Sequence, residues 1–246
     1  MLQTDQTETE RLNAMKRYLE LSLNHDNKLH DIVMLASTIT ETPVAFISLM
    51  DKEVQWITAK FGYDVSAMPR ATSFCTHTID IDGLMIVPDA TADPRFKENP
   101  IVKSPGARFY AGAPLKSFDG YNIGTICVMD VKPNNLNQSQ QECLQALSRQ
   151  ASSLMDLNLN VSLLKESVTQ IENKNATLKK LAQVQSHEFR GPLSTVMTMM
   201  NLIKDEGYPS NKEYLLMLES AVNQLDEKIC SSVNMASLHN QLFIHS

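Results

Sequence analysis

The fold of this chain is decided by RFYAGAPLKSFDGYNIGTICVMD, residues 108–130. Residues 108–115 are an apolar run of strand length, and residues 122–130 are a second one. Between them lie Asp119 and Gly120, two residues that favour a turn. The stretch therefore predicts two successive β-strands joined by a turn.

Three further strands and two helical regions surround this stretch. We predict strands at residues 44–50, 54–61 and 84–87, each a short run rich in apolar residues and bounded by turn residues or proline. Residues 9–40 repeat apolar side chains at helical spacing, with a break at 22–27, and another helix begins near Asn137. We expect loops and short helices in the 62–107 region. Five strands flanked by helices predict an α+β sandwich of about 150 residues.

Five segments of this predicted domain resemble a GAF domain, the small-molecule-sensing relative of the PAS fold. They are residues 43–51, 73–79 (SFCTHTI), 87–96 (VPDATADPRF), 108–115 and 123–130. Their order along the chain carries the resemblance, since none of them is diagnostic alone. It implies an α+β GAF (PAS-like) sandwich, with a sensor domain over residues 1–155 and a ligand pocket between the sheet and the loops of residues 62–107.

The residues of this expected pocket have two interpretations each. Cys75 is a tetrapyrrole attachment site or redox thiol, or it is a small buried hydrophobe. His77 faces a ligand or a haem, or it is a structural histidine. Four aromatic side chains line the pocket or pack in the core: Trp56, Phe74, Phe109 and Tyr110. The ligand itself is unknown, and many GAF domains bind nothing and act as dimerising scaffolds.

A heptad repeat follows the predicted domain and defines a signalling helix at residues 156–182. Its seam positions recur at alternating steps of four and three: Leu157, Val161, Leu164, Val168, Ile171, Asn175 and Leu178. This spacing is that of a coiled coil, and the polar Asn175 on the seam favours a parallel dimer. The alternative is a long surface helix of a monomer. Beyond Leu178 the seam either continues in register or slips by three residues.

The same helical pattern contains HEFRGPL, residues 187–193. Glycine and proline weaken a helix by about 1 and 3 kcal/mol, so Gly191 and Pro192 predict a hinge. The stretch resembles the phosphoacceptor box of sensor histidine kinases at all seven positions. That resemblance implies three roles: His187 as the phosphoacceptor, Glu188 as the general base and Arg190 as a contact to the phosphoryl oxygens. The alternative is a polar patch that faces solvent.

Gly191 departs from the pattern of that family. The residue four positions after the histidine is often Thr or Asn there, and it orients the water that dephosphorylates the partner. Gly191 has no side chain to do so. We therefore expect weak or absent phosphatase activity.

A second helix completes the region that resembles a dimerisation and histidine-phosphotransfer domain, residues 183–238. A loop at 205–210 separates it from the first helix, Ser210 or Asn211 can cap it, and its apolar positions run from Leu215 to Ala236. Two antiparallel helices with apolar seams cannot close a core alone, whereas two copies make a four-helix bundle. We therefore predict a homodimer. Residues 239–246 are expected to be a frayed tail.

Composition excludes several classes of function. The net charge of −6 and the pI of about 5.5 give no basic surface for nucleic acid. No apolar run approaches the roughly 20 residues of a membrane span, and the N-terminus does not resemble a signal peptide. The four cysteines form no Cys-x-x-Cys pair, and the histidines have no metal-ligand spacing, so we expect no disulfide framework and no metal site. These features favour the cytoplasm.

The resemblance implies two-component signal transduction, in which His187 passes a phosphoryl group to an aspartate of a response-regulator receiver domain. Phosphoryl transfer from ATP needs Mg²⁺ and a nucleotide pocket, and no Gly-rich phosphate loop occurs in the chain. We expect ATP and Mg²⁺ to act only through a kinase domain supplied in cis or in trans. Whether the chain is an enzyme stays open. The alternatives are a stand-alone histidine phosphotransfer protein, a non-enzymatic dimeric GAF sensor or scaffold, and a GAF enzyme or chromophore protein.

Overall fold

The computed structural model describes residues 2–22, 27–103, 106–205 and 212–242. The chain divides into two compact units, residues 1–164 and residues 165–246. The division falls inside the segment predicted as the signalling helix, residues 156–182.

The first unit, residues 1–164, contains the predicted sensor domain and is called the sensor unit below. It is built on a six-stranded antiparallel sheet. Its strands are β1 (Val44–Met50), β2 (Val54–Phe61), β3 (Ala67–Pro69), β4 (Met85–Val87), β5 (Phe109–Lys116) and β6 (Asn122–Asp130). They lie side by side in the order β3-β2-β1-β6-β5-β4. Strands β1, β2 and β6 have the predicted bounds, and β4 and β5 start one residue later than predicted. Strand β3 was not predicted.

Helices pack against the sheet, and they come from before, between and after its strands in the sequence. They are α1 (Leu2–Ser22), α2 (Asn27–Thr40), the short α3 (Cys75–Thr78) and α4, which begins at Gln138. Two 3₁₀ turns lie at Arg70–Thr72 and Pro100–Val102. The break predicted at residues 22–27 falls mainly on residues 23–26, which lie outside the described residues.

The sheet has a separate apolar cluster on each face. The larger cluster joins α1, α2 and the first turns of α4 to the sheet through residues such as Met15, Val33, Phe109 and Leu144. The smaller cluster lies under α3 and the loops, and it contains Tyr110. Because successive side chains of a strand point to opposite faces, Phe109 and Tyr110 of β5 serve different clusters.

Helix α1 is tied to the end of β1 by an ionic group in which the side chain of Arg11 is buried. Arg11 donates to the carbonyl oxygen of Met50 over 2.7 Å and is paired with Glu8 at 2.6 Å. Glu8 also pairs with Arg70 at 2.7 Å. The hydrogen bond from Arg11 is the main reason that the pKa of Glu8 falls to about 2. These contacts make α1 a structural part of the sensor unit.

The first turns of α4 are hydrogen-bonded to the rest of the same unit. The backbone N–H of Lys116 in β5 donates to Ser152 Oγ over 3.0 Å. The hydroxyl of Tyr18 in α1 donates to Asp156 Oδ1 over 2.6 Å. Helix α4 is therefore held to both the sheet and α1 where it leaves the sensor unit.

Helix α4 runs over Gln138–Asp205, 68 residues, and the described α5 spans Lys212–Leu242. The predicted loop after Asp205 and the Ser210 or Asn211 cap lie outside the described residues, as do the side chains of residues 233–242. Helix α5 continues past Leu238, where we predicted its end, because no proline or glycine follows Pro209 to stop it. None of the described helices is both long enough and apolar enough to cross a membrane.

Candidate functional site

A small cavity lies on the loop-covered face of the sheet, where the sequence predicts the ligand pocket. Its volume is about 10 Å³, which is room for about one water molecule. Six of its lining residues matter below: Phe46, Gln55, Tyr63, Phe74, Cys75 and Tyr110. In this conformation the sensor pocket is nearly filled by its own side chains.

Aromatic rings close the cavity. Phe46 stacks on Tyr63 with 5.4 Å between ring centroids, and Phe74 stacks on Tyr110 at 5.1 Å. Phe74 also packs against Phe96 at 4.4 Å. Such ring pairs add about 0.5–1.5 kcal/mol each to the free energy of burial. A larger ligand would have to displace this cluster.

The predicted pocket residues divide between the cavity and other places. Cys75, Phe74 and Tyr110 line the cavity, whereas Trp56 and Phe109 do not. His77 is exposed and packs edge-on against a phenylalanine ring at 5.1 Å, so it does not face the cavity.

One polar side chain in the cavity was not singled out from the sequence. Gln55 is fully buried, its Nε2 donates to Ser48 Oγ over 2.8 Å, and its Oε1 has no hydrogen-bond partner among the described residues. A buried acceptor without a partner is rare in a folded protein. The signal in the sequence was a glutamine that alternation places on the same strand face as Ile57.

The second candidate site is the box at residues 187–193, which lies within α4. His187, Glu188 and Arg190 are all exposed. His187 and Arg190 line a shallow surface concavity of about 490 Å³, together with Gln183 and Ser186 of the same helix. Residues three apart share a helix face, whereas neighbours do not. Glu188 accordingly does not line this concavity.

The predicted hinge lies in an uninterrupted helical segment. Pro192 is buried and has no N–H to donate to the carbonyl of Glu188, so one helical hydrogen bond is missing there. Gly191 is exposed, and an added Cβ would meet nothing within 4 Å. The glycine is therefore not required by packing in this conformation.

The seam predicted along α4 is open to solvent in the single chain. The following seam residues are all exposed: Leu157, Val161, Leu164, Val168, Ile171, Asn175 and Leu178. Within the described ranges, no group of three or more His, Cys, Asp or Glu side chains is placed to hold a metal ion.

A curated relative shares part of this chain. A cyclic di-GMP phosphodiesterase of Pseudomonas aeruginosa is 44% identical over 109 residues, which are 44% of this chain and 19% of that protein. The chain thus matches less than a fifth of the relative's length. That relative is a phosphodiesterase and not a histidine kinase, so the kinase part of the sequence resemblance stays a prediction.

The solved structures that resemble this chain share little sequence with it. A bacteriophytochrome from the photosynthetic bacterium R. palustris aligns over 78% of this chain and 46% of its own, with a TM-score of 0.50 and 12% identity. The GAF domain of an Acinetobacter phosphoenolpyruvate-protein phosphotransferase aligns over 59% of this chain and 92% of its own, with a TM-score of 0.46 and 15% identity.

The family assignment follows from the sequence match. The GAF domain family model matches residues 24–155, which is more than half of the 246-residue chain. The matched range holds all six strands of the sheet, the small cavity and the first turns of α4. The chain therefore belongs to the GAF domain family.

Proposed function

We propose that this protein couples its GAF sensor domain to a phosphoacceptor histidine in two-component signal transduction. His187 would receive a phosphoryl group from an ATP-binding kinase domain and pass it to an aspartate of a response-regulator receiver domain. The kinase domain, with its ATP and Mg²⁺, acts in cis or in trans.

The observation that carries the proposal is the complete box at residues 187–193. An acceptor histidine has to meet two large partners in turn, so it must be exposed. His187 is exposed on α4, and Arg190 lines the same concavity. Arg190 can therefore donate to phosphoryl oxygens beside the attacking ring nitrogen, the geometry that charge-assisted hydrogen bonds favour.

Glu188 is proposed as the general base. The imidazole attacks phosphorus through one neutral nitrogen, and the proton on the other nitrogen must be accepted as the phosphoimidazole forms. Glu188 points away from the His187 face when the helix is regular. A bend at Gly191-Pro192, where one helical hydrogen bond is already missing, could turn Glu188 towards His187.

A homodimer is the second part of the proposal. The exposed heptad residues, including Val168 and Ile171, would pair with a second copy as a parallel coiled coil. The apolar residues Leu193, Met197 and Leu215, which are also exposed, would be covered in a four-helix bundle. Burial of these side chains supplies the free energy of association.

The GAF domain is the proposed input. A small-molecule ligand or a chemical signal at the cavity would act on α4 through the contacts that Ser152 and Asp156 make within the sensor unit. The relative from Pseudomonas aeruginosa supports a signalling role for this part of the chain. Its phosphodiesterase activity is not proposed here, because the match covers less than a fifth of that protein.

The acceptor can be tested directly. The full chain is incubated with a histidine kinase catalytic domain and labelled ATP, and acid-labile, base-stable phosphate is measured. We expect His187→Gln to abolish the label and the exposed control His77→Gln to keep it. If His187→Gln is labelled as well as the wild type, the acceptor is another residue. If no variant or wild-type chain is labelled by any kinase domain tested, the scaffold interpretation is favoured.

The role of Glu188 needs its own measurement. Glu188→Gln should lower the rate of His187 phosphorylation by about 10²-fold or more, the effect of losing a positioned general base. Glu172→Gln, an exposed carboxylate on the same helix, is the matched control. Equal rates for the two variants would show that Glu188 is not the general base.

A further inference from the structure

Two cysteines that are 52 residues apart in sequence touch inside the sensor unit. Cys75 begins α3, and Cys127 lies in β6. Their Sγ atoms are 3.8 Å apart, and both side chains are buried. All four cysteines of the chain are free thiols, and Cys75 and Cys127 are the two that are fully buried. This contact was not foreseen from the sequence.

Hydroxyl groups surround the sulfur of Cys75. Tyr110 donates its hydroxyl to Cys75 Sγ over 3.4 Å, and the same hydroxyl lies 2.7 Å from Thr78 Oγ1. The Thr125 side chain also lies close enough to Cys75 to lower the pKa of its thiol. Gly112 makes room for this arrangement, because a Cβ at residue 112 would collide with the Tyr110 hydroxyl. An inert apolar cysteine needs no such donors.

This environment favours a thiolate on Cys75. Burial raises the pKa of Cys75, but hydrogen bonds from Cys127, Thr125 and Tyr110 outweigh burial and lower the pKa to about 6. Burial raises the pKa of Cys127 well above its ordinary value, so Cys127 keeps its proton. With both thiols protonated, Cys75 donates to Cys127. When Cys75 ionises, the Cys127 thiol donates instead.

The small cavity adjoins this pair. Cys75 and Tyr110 line it, and the unpartnered Gln55 Oε1 is an acceptor in the same lining. With a volume of about 10 Å³, the cavity has room for about one water molecule. The aromatic rings that close the cavity must move locally to admit anything larger. Hydrogen peroxide, the smallest hydroperoxide, has two oxygen atoms and so needs only a small opening; it is both a hydrogen-bond donor and an oxidant of thiolates.

We propose that Cys75 and Cys127 form a hydroperoxide-oxidised dithiol–disulfide site in the sensor cavity, with Cys75 as the reacting sulfur and Cys127 as the resolving thiol. The sulfur atoms need to approach from 3.8 Å to the about 2.05 Å of a disulfide bond. This inference does not depend on the proposed role of His187.

The reaction balances in two steps. The Cys75 thiolate attacks one oxygen of hydrogen peroxide, so that an S–O bond forms, the O–O bond breaks and the leaving hydroxide takes up a proton as water. The Cys127 sulfur then attacks the sulfenic acid of Cys75, so that the S–S bond forms, the S–O bond breaks, and hydroxide leaves with the Cys127 proton as a second water. The pair loses two electrons, and the peroxide gains them.

The test uses the full-length chain with Cys143→Ser and Cys230→Ser, which leaves only the buried pair. The folded protein is treated with hydrogen peroxide, denatured, alkylated and analysed by mass spectrometry without reduction. We expect a loss of two hydrogens and a linked pair of peptides containing Cys75 and Cys127. Cumene hydroperoxide, which is much larger than the cavity, should react more slowly. If both thiols remain alkylatable under conditions that oxidise Cys230 in the wild-type chain, the proposal is wrong.

Single variants separate the two sulfurs. Cys127→Ser should leave an oxygen adduct on Cys75, whereas Cys75→Ser should leave Cys127 reduced; the reverse pattern overturns the assignment. Tyr110→Phe removes the hydroxyl that donates to Cys75 Sγ, and Thr125→Val removes a second hydroxyl that lowers the pKa of Cys75. They should move the pH midpoint of the Cys75 oxidation rate upwards, and at pH values below the wild-type midpoint they should lower the rate about tenfold for each unit by which the pKa rises. A midpoint that does not move would assign these hydroxyls a structural role only. Thermal unfolding confirms that each variant is folded.

Discussion

The two units of the chain differ in how they treat apolar side chains. Residues 1–164 bury theirs in two clusters, one on each face of the sheet. In residues 165–246, by contrast, Ala221 and Pro192 are the buried apolar residues among the side chains that the structure describes, and Ile171, Met197 and Leu215 are exposed. The first unit carries a core of its own. The second unit exposes apolar side chains of the kind that a core would bury.

The largest effect should come from the core of the sensor unit. Phe109→Ala removes a fully buried ring and should lower the free energy of unfolding by about 3–5 kcal/mol. The matched control is Phe118→Ala, whose ring is 64% exposed under Arg17 and should cost at most about 1 kcal/mol. Chemical denaturation of both variants checks this. Equal losses would mean that the sheet core does not dominate stability.

A substitution on the seam should weaken dimer association and leave the stability of the folded sensor unit unchanged. Ile171→Glu places a charge where two copies are proposed to meet, and an uncompensated buried charge costs about 3 kcal/mol. The dimer dissociation constant should rise by about 100-fold. Asn173→Glu, on the outermost face of the same helix, is the control. If the wild type sediments as a monomer at micromolar concentration, the proposal that the seam pairs two copies is wrong.

A smaller gain in stability is expected at the hinge. Gly191→Ala adds a Cβ that meets nothing within 4 Å and should stabilise α4 by about 1 kcal/mol. If the bend at this point serves signalling, the same change should reduce the response of His187 phosphorylation to the sensor. Ser194→Ala, an exposed position one turn further on, controls for a general change in helix propensity. A destabilised Gly191→Ala protein would contradict the helical geometry at this residue.

The smallest effect concerns the ionic group on α1. The pKa of Glu8 is lowered from 4.5 to about 2, first by its hydrogen bond from Arg11. Its contribution is therefore present above pH 4.5 and is lost as the pH falls towards 2. Because Glu8 is 38% exposed, the contribution is at most about 1 kcal/mol.

Glu8→Gln should flatten the stability profile over that acid range. The exposed Glu20→Gln on the same helix is the control. Thermal melts at a series of pH values measure the difference, and identical profiles for wild type and Glu8→Gln would exclude the linkage.

Much of the sheet could be predicted because its strands are short apolar runs between strong turn signals. Strand β3 was not predicted because it has only three residues and because its Pro69 lacks the N–H of a typical strand residue. Helix α3 has four residues, too few to show a 3.6-residue period. The structure of both β3 and α3 is determined by tertiary contacts and not by the local sequence pattern.

The contents of the cavity depend on contacts between distant parts of the chain. Alternation along β2 places Gln55 on the same face as Ile57, but its bond to Ser48 also needs the pairing of β1 with β2, which sets Ser48 opposite Ile57. The contact of Cys75 with Cys127 depends on how α3 packs on β6. No local pattern in the sequence encodes either. The box at residues 187–193 is the opposite case, because all of its residues are neighbours along one helix.

The burial of α1 has a practical consequence for dissecting this protein. A fragment cut at the limits of the family match, residues 24–155, would lose Met15 and Tyr18, which are buried against the sheet layer, and Leu159 of α4. It would also lose Arg11, which caps the end of β1. The exposed apolar surface should make such a fragment aggregate. The smallest sensor fragment that keeps its native solubility should therefore begin before Glu8 and end after Leu159.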